Sequence, residues 1–132
     1  MRRAVDTNIL VRTFVDEGTA ECRLAINVMA TGNVFVPATV ILEAVWVMES
    51  SYGASRSTIS DLLAWLLGME NVEVDRFDAV AEALEAYSRG FDFADALHLF
   101  TSPECDGFLT FDKSFLRRAK RHKLRLPVIR PS

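Results

Sequence analysis

Only two cysteines, Cys22 and Cys105, and two histidines, His98 and His122, occur in the 132 residues. Neither pair has the spacing of a zinc knuckle, and two thiols are too few for a disulfide scaffold; both cysteines are expected to be reduced and partly buried. Long apolar runs are also missing. The most hydrophobic stretch, VFVPATVILEAVWVM (34–48), is broken by Pro37 and Glu43 and is too short to cross a bilayer as one helix. The opening MRRAVDTNIL is basic, yet it meets Asp6 before any apolar segment of export-signal length forms, so the expected location is cytoplasmic. No repeat, low-complexity tract or linker interrupts the chain, and residues 1–132 are expected to form a single domain.

Acidic residues are absent after Asp112. Residues 1–112 hold all 18 acids against seven arginines, net −11; residues 113–132 hold eight basic residues and no acids, net +8; together they give the overall −3. An acidic body with a basic end fits polyanion contact through one edge, docking on an acidic protein, or a solvated helix face.

Half of the residues are hydrophobic, and their spacing predicts alternating short strands and helices. Strands are expected at 3–6, 34–36, 72–74, 107–111 and 126–129. Between them, helices are expected from Asn8 to Val15, after a Thr19 cap until Gly32, from Pro37 to about Glu49, over 55–67, over Asp78–Ser88, from Asp92 towards Pro103, and over 113–123. The 37–49 helix is apolar on nearly every side, which predicts a core position. Such an alternation implies βαβ units: an α/β fold, a three-layer α/β/α sandwich around a central, mostly parallel sheet of short strands. In such sheets the working crevice lies beyond the carboxyl ends of the strands, where Asp6 and Asp112 follow theirs.

Four carboxylates draw attention. Glu43, within VILEAVWV, has no Lys or Arg within helical reach, and a buried unpaired carboxylate needs a compensating cation. Asp92 suits the cap of its helix, which leaves Asp95 at the third position on the apolar side as the stronger ligand candidate. Asp6 follows the first strand, and Asp112 either caps the basic helix or serves a site. Oxygen donors without histidine or thiolate companions favour Mg²⁺ or Mn²⁺ over zinc.

VDTNIL (5–10), the proline-led helix with Glu43, FDFADALHLF (91–100) and LTFDKSF (109–115) together resemble the PIN-domain ribonucleases, in particular the VapC-like toxins of bacterial toxin–antitoxin pairs. That resemblance implies Asp6, Glu43, Asp95 and Asp112 as metal-binding catalytic carboxylates, with Asn8 steadying Asp6 or its turn, Asp92 as an acidic helper and Thr110 hydrogen-bonding within the site. It also implies endonucleolytic RNA cleavage with Mg²⁺ or Mn²⁺, a homodimer, and inhibition by a small cognate antitoxin. His98 departs from the pattern, which more often has an aliphatic residue there.

RNA steering would fall to Lys113, Arg117, Arg118, Lys120, Arg121, Lys123 and Arg125. Trp46, Met48, Tyr52, Trp65, Leu66 and Leu67 exceed what one small core must bury, and mark 46–67 for a dimer face or antitoxin groove. Alternatives remain: a nuclease of the same fold that processes RNA or acts on DNA, a PIN-like module that binds RNA or protein without catalysis, and, more remotely, a Mg²⁺-binding receiver domain.

Overall fold

The computed structural model describes residues 1–132, which cluster into two compact units, Met1–Asp78 and Ala79–Ser132. In the first, β1 (Arg3–Ala4), β2 (Val34–Val36) and β3 (Val72–Val74) form a parallel sheet in the order β1-β2-β3, with Ala4 opposite Phe35 and Val36 opposite Val74. Parallel neighbours require crossovers. Helices α1 (Thr7–Phe14) and α2 (Ala20–Thr31) carry the chain from β1 to β2, and α3 (Ala38–Tyr52) and α4 (Arg56–Leu67) carry it from β2 to β3. Val34 and Val36 of the middle strand are buried, as are Leu10, Ala25, Met29, Ile41, Met48, Ile59, Leu63 and Leu66 of the helices.

Local chemistry explains most of the helix ends. Thr19 and Ser55 accept the amides of Cys22 and Thr58, each three residues ahead, satisfying donors that the first turn leaves unpaired. Pro37 precedes α3 but has no side chain to cap it; Asp75, just after β3, reaches across and accepts the Ala38 amide at 3.3 Å. Its own amide donates to the Val36 carbonyl. Asp75 therefore ties the carboxyl end of β3 to the start of α3.

Helix α3 runs past the expected end at Glu49 to Tyr52. Ser50 does not break it because its hydroxyl donates to the Trp46 carbonyl. Termination waits for Gly53, whose φ of +60° permits the left-handed turn in which Ala54 N–H closes onto the Met48 carbonyl. Nor is α3 a core helix on every side: Thr39, Glu43, Trp46, Glu49 and Ser50 are exposed, while Ile41, Ala44, Val45 and Met48 form the buried stripe.

The second unit contains α5 (Phe77–Ser88, entering from the first), α6 (Phe93–Phe100), β4 (Phe108–Leu109), α7 (Lys113–Arg121) and β5 (Val128–Ile129). Here α7 is the crossover between parallel β4 and β5, with Phe108 opposite Val128. An aromatic core joins the parts: Tyr87 meets Phe93 edge-on at 5.7 Å, and Phe115 of α7 contacts both Phe91 and Phe108. The 107–111 segment is not the buried strand its composition implied. Only Phe108–Leu109 pairs, and Leu109 is 64% exposed. Likewise only Val128–Ile129 of 126–129 is strand.

The α/β class and parallel pairing are those expected. The hydrogen-bonded strands fall into two sheets, of three and two strands. Cys22 is buried and Cys105 exposed, both as free thiols. No helix is long and apolar enough to cross a membrane.

Candidate active site

In the first unit the acids follow from two helix starts. Asp6 leaves β1 in an extended conformation and its carboxylate accepts the Ile9 amide at 3.0 Å, capping α1. The next residue, Thr7, donates its hydroxyl to Oε1 of Glu43 on α3. Asp6 and Glu43 are thus linked through adjacent residues of one short turn. Glu43 is exposed, which removes the premise that burial alone demands a cation beside it. Its partner comes from another element rather than from its own helix; Ile41, Ala44 and Val45 take the buried stripe, while Trp46 on the Glu43 side is exposed like Glu43 itself. The carboxamide oxygen of Asn8 accepts Nε–H of Arg12 at 2.7 Å, one turn along α1.

In the second unit Asp92 caps α6 by accepting the Asp95 amide at 3.0 Å. That holds Asp95 in the first turn, half-buried, while Phe93, Ala96, Leu97 and Leu99 face the core. Asp112 caps α7 through the Phe115 amide, and its own N–H donates to Oγ1 of Thr110 at 3.0 Å. Thr110 thereby fixes the turn that presents Asp112. The expectation that Asp112 caps the basic helix and the expectation that it serves a site are compatible, because a capping carboxylate keeps its second oxygen available.

Asp95 carries the electrostatic signature. Burial pushes its carboxyl above the ordinary carboxylate value, and repulsion from Asp92 and then Asp112 pushes it further; His98, one turn along α6, pulls the other way. Asp92 and Asp112 therefore lie close enough to Asp95 for their charge to act on it. No set of three or more His, Cys, Asp or Glu side chains is arranged as a ready metal cage. The donor set is nonetheless hard oxygen throughout, suited to Mg²⁺ or Mn²⁺, ions that retain waters and need few protein ligands.

The basic residues divide by role. Lys113, Arg117, Lys120, Arg121, Lys123 and Arg125 are exposed. Arg118 is not a free phosphate ligand: it donates to the Arg89 carbonyl at 3.4 Å and fills the space beside Gly90, where a Cβ would collide with the guanidinium. His122 packs against Phe91 at 5.3 Å, and His98 is exposed.

Two contributors escaped the sequence reading. Thr7 was passed over inside VDTNIL, although a hydroxyl at the first helical position beside an acid is a recognisable signal. Asp75 gave none, since the amide it caps lies 37 residues away.

Both units pair their strands in parallel and carry acids just past strand ends, the place where α/β folds hold their working sites. The chain belongs to the PIN domain family, whose model matches residues 3–121. The match includes Asp6, Glu43, Asp92, Asp95 and Asp112 and ends before Lys123 and Arg125. Membership points to nuclease-like hydrolase function. No curated protein matches the chain.

Proposed function

We propose that the chain is a Mg²⁺- or Mn²⁺-dependent endoribonuclease, the toxin of a toxin–antitoxin pair, with Asp6, Glu43, Asp95 and Asp112 as its metal-holding carboxylates. The observation that carries the reading is the PIN family match over residues 3–121, which spans all four acids, with Asp92 and Asp112 close enough to Asp95 to push its carboxyl up. Such a group of acids is completed by a cation. A divalent ion would supply Lewis-acid activation of water and neutralise charge on the phosphodiester. The chain's own residues orient the acids: the α1 turn presents Asp6, Thr7 holds Glu43, Asp92 pins the first turn of α6, and Thr110 sets the Asp112 turn.

Water attacking phosphorus in line, with the 3′-oxygen leaving and taking up a proton, gives 5′-phosphate and 3′-hydroxyl ends. Purified protein given RNA with Mg²⁺ or Mn²⁺ is expected to make these ends, and to stop when the metal is chelated. A 2′,3′-cyclic phosphate product, or cleavage that persists under chelation, would reject the reading.

Dimerisation and antitoxin docking in the cytoplasm belong to the same proposal. The apolar surplus at 46–67 divides clearly: Met48 and Leu66 are buried, whereas Trp46, Tyr52 and Trp65 are exposed. Exposed aromatics suit a protein contact. Light scattering at micromolar concentration is expected to give a dimer mass that Trp46→Ala with Trp65→Ala lowers towards the monomer. A wild-type chain that stays monomeric across that range would remove the dimer.

A further inference from the structure

Phe111 stands between Thr110 and Asp112 yet is 68% exposed. A phenyl ring left in water forgoes the stabilisation that burial brings, so its position calls for a reason. Arg130 supplies part of one: its guanidinium carbon lies 5.4 Å from the ring centroid, within cation–π range. Leu109, two residues earlier, is also exposed, as is its register partner Ile129 on β5. Alternate residues of an extended segment share a side, so Leu109 and Phe111 form one apolar strip, while Thr110 turns to the Asp112 amide. The strip ends at the residue before Asp112.

We propose that Phe111, braced by Arg130, is a stacking platform for one nucleobase of single-stranded RNA beside the scissile phosphate; this rests on the endoribonuclease reading. Three observations favour RNA as the occupant. A phenyl face accepts any base, and a guanidinium adds charge for the adjoining phosphate. Arg130 and Lys113, the residue after Asp112, both belong to the acid-free +8 end of the chain, which complements a polyanion. The platform is also continuous with Asp112, where the phosphodiester would be handled. Arg130 lies beyond the 3–121 family match, so half of this device belongs to the chain's own C-terminal segment.

Binding is read with short single-stranded RNA containing 2-aminopurine, added to the Asp95→Asn chain with and without Phe111→Ala or Phe111→Tyr. Quenching on binding is expected with Phe111 and with tyrosine, and is expected to be lost with alanine. In the otherwise wild-type chain, Phe111→Ala is expected to raise KM about tenfold, with kcat little changed and altered preference at the cut site. Tyrosine restores both. Unchanged KM and cut-site preference in an active Phe111→Ala chain overturns the platform and leaves the nuclease reading intact. So does a changed mass in light scattering with normal RNA kinetics, which would assign the strip to a protein contact. A wild-type chain that cuts nothing while the quench persists rejects the nuclease reading and keeps the platform; one that neither binds nor cuts RNA removes both.

Discussion

Replacing Asp95 by asparagine is expected to lower RNA cleavage by at least about a hundredfold, as for disrupted metal-site ligation, and to raise the thermal midpoint of the metal-free protein at neutral pH. The opposite signs follow from one fact. Burial first, then Asp92 and Asp112, hold the Asp95 carboxyl above its ordinary 3.8. Between that value and the raised one, the folded chain binds a proton that the unfolded chain has released. Stability therefore falls as pH climbs through that window, and the deficit persists at neutral pH. Asparagine carries no charge, so it removes the deficit and flattens this part of the pH profile. Asp95 also sits in the first turn of α6, where the helix dipole favours a negative charge and offsets part of this deficit.

A cation gives the complementary readout. A divalent ion bound by the native state alone stabilises it by mass action, about 2.7 kcal/mol when free ion exceeds Kd a hundredfold. Calorimetry is expected to show Mg²⁺ or Mn²⁺ raising the wild-type midpoint and scarcely moving that of Asp95→Asn. Asp92→Ala separates charge from capping. It relieves the same repulsion but leaves the Asp95 amide unpaired, at a cost of about 1 kcal/mol, and should lower the midpoint. A destabilised Asp95→Asn chain, with equal metal shifts in both proteins, would mean that Asp95 serves the fold and not a cation.

What the sequence disclosed depended on how local the cause was. Helix starts at Thr19, Ser55, Asp92 and Asp112 were legible because each cap acts on an amide three residues ahead. The three-residue strands Val34–Val36 and Val72–Val74 were legible as β-branched runs between helical patterns. Glu43 was misread for a physical reason: an apolar neighbour need not be a buried one, since Trp46 on the same side of α3 is itself exposed, and its Thr7 partner is 36 residues away. The end of α3 was misread because serine weakens a helix without stopping it, while only Gly53 enters the left-handed region. The 107–111 segment was read as buried from composition, although Leu109 and Phe111 lie open. At the site, residue types were legible and partners were not, because hydrogen bonds such as Ala38 to Asp75 arise only from tertiary folding.

Substituting glutamine for Arg117, Lys120 and Arg121 together is expected to weaken RNA binding about a hundredfold near 0.1 M salt and to reduce the slope of log K against log salt by about two, since each single-strand phosphate neutralised contributes about 0.7. These three side chains are exposed on α7, and Arg117 makes a 3.3 Å hydrogen bond to Ser114 within the helix. Glutamine keeps helix propensity. The last turn loses two cations that complement its carbonyl end, a smaller effect that a melting curve would register separately. Arg118 supplies the internal control. Because it is committed to the Arg89 carbonyl and to the space beside Gly90, Arg118→Gln is expected to lower stability and leave the salt slope close to wild type. If the triple variant kept the wild-type slope, the +8 segment would belong to a protein partner, and the attraction of RNA would need another source of positive charge.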